Sequence, residues 1–558
     1  MIRRLLKLLV FVLAVGTLSL AVAPPSWIPV PWQPIYYSFL GERAYRKAPP
    51  SESDSPPEPE PHCPESNPAR RDSQTIDGVA VQSAPHCNPD NPHTVAASVK
   101  GTNTVDTQTL KKSGLSRDAI VKKNDRDGDG DPDEITITLE VIELNGWSGE
   151  TVTPVPTYSI APGLTPGFWV FAPKTRGMAT ASREDLDANP LLRVPSPSIR
   201  VEKGDDVTVK LENTHYLPHT IHLHGADHAF RNAEGQGNDG VPQTSEKPVL
   251  PGETCRYSLK PRTTGSMFYH CHVQPRSHIM MGLQGLFVVE SDRPDNSLQT
   301  INVGAGRVRA PSRGVSGTYD REYDLVFQDV DADLHNLIRN TRDPRLTAKR
   351  MNRTNDSTER TAEYYLLNGK SFPYTFREPI VVKQNQTAKL RVLNGGLEDV
   401  SLHTHGHKVT QTHSDGVKRP EQARITRDVV DLSAAQREDL KLKAVNNGLN
   451  SYGPGIWLLH DHREVAIASD SISPGGNVSA IVYERFLNDT GMPQVLGVNM
   501  DKYFTKEFYR GELPIWSFSS DFLPVQSTSP APGPIFGRGL LFGIGLGLLL
   551  VFLWTIWI

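Results

Sequence analysis

A thiol set between two imidazoles, in Phe268-Tyr269-His270-Cys271-His272, is a combination that packing alone does not require. A third imidazole follows in the run His278-Ile279-Met280-Met281-Gly282-Leu283. Cysteine and histidine are ligands suited to copper, zinc and iron. Three further non-overlapping His-x-His pairs occur, at His222-Leu223-His224, His403-Thr404-His405 and His460-Asp461-His462. Residues i and i+2 of a β-strand project to one face, so each pair offers two imidazoles side by side from a rigid support. For any single pair, a histidine satisfied inside a core is the plainer alternative. Four pairs together exceed the shell of one zinc, which is usually four-coordinate, and suit a cluster of several copper ions.

The elements that must position these residues read as strands. Alternating runs begin at Ile135 (Ile135-Thr136-Ile137-Thr138-Leu139-Glu140-Val141) and recur at Gly167–Phe171, Ile199–Val201 and Val207–Leu211. Short strands punctuated by glycine and proline predict an all-β Greek-key sandwich. The pattern restarts near Tyr323 and runs to about Tyr483. The two halves are copies: Ile199–Asn213 matches Ile380–Asn394 at an offset of 181, which also superposes His222-Leu223-His224-Gly225 on His403-Thr404-His405-Gly406. A second correspondence, at an offset of 190, sets His270-Cys271-His272 against His460-Asp461-His462. A duplicated sandwich carrying two His-x-His pairs per copy is therefore expected.

With Pro218-His219-Thr220-Ile221-His222-Leu223-His224-Gly225, the His270-Cys271-His272 stretch, Asp239–Pro248 and Gly453–His460, the chain from about Ile135 to Tyr483 resembles the multicopper oxidases, a family that includes laccases and cuproxidases. The resemblance implies two cupredoxin-like domains, at 135–292 and 321–490, joined by a linker at 293–320. It implies a type 1 (blue) copper held by His219, Cys271 and His278, with Leu283 at the axial position. Met281 is the alternative if the chain bulges there. His222 and His403 correspond to type 2 ligands, and His224, His270, His272, His405, His460 and His462 to those of a type 3 pair, giving about four coppers per chain. Asp239 resembles an acidic proton relay near the cluster, although an Asp-Gly turn explains the same residue. In the second copy Val400, Asp461 and Ala468 stand where His219, Cys271 and His278 stand in the first, so only the first copy has a blue site. This is the pattern of two-domain, laccase-like members, in which the resemblance implies a homotrimer with each cluster between subunits. The implied reaction couples one-electron oxidation of a phenolic or metal-ion donor to four-electron reduction of O2 to water. A copper nitrite reductase and a non-enzymatic copper-binding electron carrier are the rival readings.

The rest of the chain bounds location and partners. Lys+Arg number 59 and Asp+Glu 63, for a net charge of −4, which gives no reason to expect nucleic acid as a partner. Residues 1–23 carry Arg3, Arg4 and Lys7 before an apolar run, as a secretory signal or an uncleaved anchor does. A Pro-rich linker is expected over 24–134, a stalk over 491–538, and a transmembrane helix over the uncharged residues 539–558. Together these predict an exported protein tethered to a membrane. Cys63 and Cys87 lie in the Pro-rich segment and are expected to pair as a disulfide. Asp125, Asp127, Asp129, Asp131 and Asp133 alternate around glycines like a calcium loop, but Thr136 stands where an EF-hand has its glutamate. A calcium-stabilised turn and a plain acidic loop both stay open. The basic stretch Asn336–Thr361 reads as a solvated insertion.

Overall fold

The computed structural model describes residues 115–509, apart from 117, 147–157, 176–191, 297, 342–346, 349, 352–354, 356–361, 496, 497 and 499. Three short paired strands, Gln74–Ile76, Val79–Val81 and Val99–Lys100, precede them. The expected signal or anchor at 1–23, Cys63 and Cys87, and the apolar stretch 539–558 lie outside the described residues. Among the described residues no helix is long and apolar enough to cross a membrane.

The first sandwich contains β1 (Ile120–Lys123), β2 (Glu134–Leu144), β3 (Phe168–Pro173), β4 (Ser198–Glu202), β5 (Asp206–Glu212), β6 (His222–His224), β7 (Thr254–Leu259), β8 (Gly265–His270), helix α1 (Pro275–Met280), β9 (Gln284–Glu290) and β10 (Ile301–Asn302). One sheet runs β7-β5-β2-β1 with β3 also on β2; the other runs β10-β4-β9-β8-β6. The second contains β11 (Gly306–Arg307), α2 (Arg313–Ser316), β12 (Arg321–Val330), α3 (Ala332–Asn340), β13 (Tyr364–Leu367), β14 (Ile380–Val382), β15 (Thr387–Asn394), β16 (Val400–Thr404), β17 (Val409–Ser414), β18 (Val417–Lys418), β19 (Thr426–Arg427), β20 (Val429–Leu432), β21 (Arg437–Lys443), β22 (Ile456–Asp461) and β23 (Ser479–Tyr483). Its sheets run β11-β12-β15-β21-β17-β18, with β13 on β12 and β19 on β17, and β14-β23-β22-β16-β20. The copying seen in sequence holds in topology. β2 lies parallel to β5 as β12 does to β15, and β9 parallel to β4 as β23 does to β14.

Alternation does the local work. In β5, Val207, Val209 and Leu211 are buried while Asp206, Thr208, Lys210 and Glu212 are only half-buried, as a strand with one face on a core requires. Each sandwich has its own apolar core, one around Trp169, Phe171, Tyr269 and Phe287, the other around Phe327, Leu390, Leu440 and Ile481.

Four expectations change. β1 pairs with β2, so the first sandwich reaches back into the segment read as linker; Ile120 supplies a buried side chain just ahead of the acidic loop that masks it in sequence. The stretch 293–320, also read as linker, holds β10, β11 and α2 and carries buried Leu298, Ile301 and Val308. The start of the expected stalk packs on the second sandwich: the Tyr503 ring meets Phe372 at 5.2 Å and Phe508 is buried. The basic insertion is no solvated loop, because Ile338 and Met351 within it are buried, as are Leu334 and His335 just ahead of it in α3.

The sandwiches meet across a buried charge network. Arg391 on β15 is bonded to Glu322, Glu290 and, at 3.0 Å, Asp439. Arg200 on β4 forks onto Asp324, one arm at 2.8 Å. Ser266 on β8 donates to Asp439. The strand β8 that leads to Cys271 is thereby fixed to the second sandwich. It starts at Gly265 (φ +141), where an added Cβ would lie 2.7 Å from Gly416 backbone, so a side chain there would push the two apart.

Candidate metal centres

Two kinds of site arise from these strands. In the first, β8 ends at His270 and the chain continues into Cys271, whose N–H donates to the Leu283 carbonyl at 3.0 Å. Helix α1 then returns His278 to the sulfur. Cys271 Sγ lies 3.6 Å from His219 Nδ1 and 3.3 Å from His278 Nδ1. All three residues are buried. The rings of His219 and His278 both pack edge-on to Trp169, at 6.3 Å and 5.2 Å. Burial pushes the Cys271 thiol up to about 12 and the His278 imidazole down to about 3; it also holds His219 well below its ordinary value. Neutral imidazoles with free lone pairs converge on a thiol that ionises inside the fold only beside a cation. That donor set fits a soft, thiolate-binding metal such as copper. Leu283 and Met281 are both buried in the surrounding core.

The second kind is a quartet of imidazoles, present once in each sandwich. In β6, Leu223 is buried in the core while His222 and His224 flank it on the other face; burying such a leucine contributes about 1.5–3 kcal/mol and locks the orientation. β6 pairs with β8 so that His222 lies opposite His270. In the second sandwich Leu402 and Thr404 point inward, and His403 on β16 lies opposite His460 on β22. His222, His224, His270 and His272 share ring contacts of 5.0–5.6 Å. His403, His405, His460 and His462 share contacts of 4.6–5.6 Å. Among the described residues no ring contact joins one quartet to the other.

Backbone carbonyls orient these rings. Nδ1–H of His222 donates to the Asp239 carbonyl at 2.6 Å, His270 to Cys271 at 2.9 Å, His403 to Asp428 at 3.1 Å, and His460 to Asp461 at 2.9 Å. Each Nε2 is left as a lone-pair donor, the arrangement that metal-binding histidines use. The Nε2 atoms of His224 and His270 approach to 2.9 Å, and those of His405 and His460 to 3.1 Å. His272 Nδ1 is buried without a hydrogen-bond partner. Facing lone pairs and an orphaned buried nitrogen are what a cation would satisfy, so the quartets fit metal. Burial holds His270 down to about 3 and His224 to about 4.

These buried neutral imidazoles give a pH prediction for the metal-free protein. The unfolded chain binds protons that the fold excludes between the folded values near 3–4 and the ordinary 6.5, so stability falls as pH drops through that window. Thermal unfolding of the metal-free protein is expected to move to lower temperature from pH 6.5 towards 4. A flat profile would contradict the packing described.

Asp239 lies beside the first quartet, with its carboxylate 3.3 Å from His222 Nδ1 and 3.6 Å from His228 Nε2. It also starts a tight turn: Gly240 has φ +75, and a Cβ there would lie 2.0 Å from the Ile221 carbonyl oxygen. Turn and ring contact therefore coexist in one residue. In the second sandwich Asp461 occupies the place of Cys271, salt-bridged to Arg463 at 2.7 Å and accepting the Ser401 N–H at 3.0 Å. Val400 and Ala468 provide no donor beside it. The acidic loop forms two carboxylate groups, Asp125 with Asp127 and Asp133, and Asp127 with Asp129 and Asp292. Asp131 instead turns inward to accept the Asn296 N–H at 2.8 Å. Sequence reasoning missed Asp292, distant in the chain, and two histidines outside the His-x-His pattern, His228 and His215. The latter lies beside His219, four residues before it, which is the only signal it gives.

Two family models, each described as multicopper oxidase, match residues 192–294 and 341–469. Among curated relatives, multicopper oxidase VdtB of Byssochlamys spectabilis is 34% identical over 95 residues, 17% of this chain and 13% of that protein. Laccase-2 of Botryotinia fuckeliana is 26% identical over 376 residues, 62% of this chain and 58% of that protein. The chain thus spans less than two-thirds of either relative. Among solved structures, the blue copper oxidase from Nitrosomonas europaea is 26% identical, with a TM-score of 0.45 and coverage of 67% of this chain and 92% of that one.

Proposed function

Since this chain belongs to the multicopper oxidase family, copper being the metal that membership implies, we propose that it takes single electrons from a reducing substrate and uses them to reduce O2 to water. The observation that carries the reading is covalent. Cys271, in the buried thiol–imidazole site, is the chain neighbour of His270 and His272, in the first quartet. In this reading His219, Cys271 and His278 would hold the type 1 copper, beside the buried Leu283. His222 and His403 hold type 2, and His224, His270, His272, His405, His460 and His462 hold the type 3 pair.

Copper, when bound, supplies the one-electron steps and the Lewis acidity at which O2 is reduced. The chain's part is orientation, wiring and protons. The four carbonyl-bound imidazoles hold their Nε2 atoms in place. The Cys271 backbone joins the site that receives electrons to the one that spends them. Asp239, touching both His222 and His228, is placed to pass protons to the cluster. From the resemblance to two-domain members, we read the cluster as formed between the first sandwich of one subunit and the second of the next, closing a homotrimer; among the described residues the two quartets make no ring contact within one subunit. Residues 1–23 and 539–558 would tether it to the outer side of a membrane.

Copper analysis with absorption spectroscopy and light scattering tests this. The expected result is about four coppers per chain, an intense blue band and a trimeric mass; two coppers per chain with nitrite turnover would contradict it. Leu283→Met is expected to lower the reduction potential of the blue site, since it would offer a weak thioether donor there; an unchanged potential would show that residue 283 does not reach the metal. For the acidic loop we infer a calcium site. Calcium is expected to raise the thermal midpoint of the wild type but not of Asp127→Asn, and no rise in the wild type would leave a plain acidic loop.

A further inference from the structure

The blue-copper ligand set is sealed. His219, Cys271 and Leu283 are 0% exposed and His278 1%. Part of the cover comes from α3 and the basic insertion of the second sandwich. Leu334, Ile338 and Met351 join the same buried cluster as Trp169, Met281 and Leu283. Helix α3, which leads into the insertion, is pinned by His335, whose Nδ1–H donates to the Gly167 carbonyl at 2.6 Å and whose ring meets Phe168 at 4.9 Å. A donor that must touch a ligand imidazole finds no exposed ring edge among the described residues.

One imidazole nitrogen leads outward. His219 turns Nδ1 to the sulfur, so its other nitrogen carries the proton and donates to Nδ1 of His215, 2.9 Å away. His215 is also buried. Its ring lies against that of Tyr216, with centroids 4.0 Å apart and planes 34° apart. Tyr216 is half-buried and, of this stack, reaches solvent. Its hydroxyl is held from inside by Glu143 and Thr347.

We propose that Tyr216 and His215 form the electron-uptake route to His219, and that the substrates are outer-sphere one-electron donors meeting the surface at Tyr216, rather than phenols seated against a ligand imidazole. Tunnelling falls steeply with distance, and a close ring pair ending in a 2.9 Å hydrogen bond is a short, packed path, with the Trp169 ring beside it at 5.0 Å from His215 and 6.5 Å from Tyr216. The step balances simply. The donor loses one electron and the blue copper gains one; no bond in Tyr216 or His215 forms or breaks, and neither ring exchanges a proton. This inference rests on the copper oxidase reading above.

The test is anaerobic stopped-flow bleaching of the blue band in the copper-loaded protein, with hexacyanoferrate(II), a reduced c-type cytochrome and 2,6-dimethoxyphenol as donors. In the wild type, hexacyanoferrate(II) or the cytochrome is expected to bleach the band faster than the phenol, the faster of the two identifying the kind of donor. Tyr216→Leu is expected to slow that bleaching at least about tenfold, as loss of a group supporting a metal ligand does, while band intensity, copper content and reoxidation of the reduced enzyme by O2 stay unchanged. Tyr216→Phe keeps the ring and should keep the rate, which a merely structural role for the hydroxyl would not predict. Unchanged bleaching in Tyr216→Leu, or faster bleaching by the phenol in the wild type, would overturn the proposal while leaving the oxidase reading standing. Absence of any blue band would overturn both.

Discussion

Cys271→Ser is expected to abolish the blue absorption, remove about one copper per chain and end donor oxidation, while leaving the fold in place. Serine is close in size to cysteine, and the position is fully buried against Leu283, His219 and His278, so packing changes little. The chemistry changes entirely, because an alcohol does not ionise there to bind a soft metal. Groups that only support metal ligands cost ~10–100-fold when removed, so loss of the sulfur itself should exceed about 100-fold in donor-dependent O2 uptake. His270 and His272 remain, and the variant should still bind copper in the quartets. The complementary change, Asp461→Cys, should create no second blue site. Val400 and Ala468 stand where its imidazole partners would be, and Arg463 would lose one of its two carboxylate partners, keeping Glu398. Retained blue absorption in Cys271→Ser would refute the ligand assignment.

The second large effect concerns stability. Arg391 is completely buried and compensates Glu290, Glu322 and Asp439, which come from both sandwiches. Arg391→Met removes the cation and leaves three buried carboxylates short of a partner, a change that costs about 3–5 kcal/mol when a buried pair is broken. The loss is read from the midpoint of chemical unfolding, compared with an exposed control such as Lys247→Met. Burial raises the Asp439 carboxyl, but Arg391 and Lys389 more than offset it and hold it low. A depressed carboxyl contributes stability above its ordinary value near 3.8 that is lost as pH falls below it, so wild type and variant should converge in acid. Equal midpoints at neutral pH would show that the network contributes nothing to joining the sandwiches.

What could be read in sequence was what residue type and spacing carry unaided. His-x-His survives as a signal because the strand period brings both imidazoles to one face whatever the surroundings, and the buried Leu223 and Leu402 between them fix which face. The duplication was legible for the same reason. The Arg391 network was not, because Arg391, Glu322 and Asp324 sit on strands where charge ordinarily marks the solvent side; here a second sandwich covers that side. The insertion misled in the same way: seven basic residues between 336 and 361 outweigh the few apolar side chains, Ile338 and Met351 among them, that join the core around the thiol–imidazole site. His215 was hidden because its role depends on the turn between β5 and β6, which spacing does not encode.

The most direct test of the central claim is the ratio of donor oxidised to O2 consumed by the copper-loaded protein, with peroxide assayed alongside. Coupling of the buried thiol site to the imidazole quartets predicts about four one-electron donors oxidised per O2 and no accumulating peroxide. Donor oxidation without O2 uptake, or with nitrite consumed in its place, would contradict it.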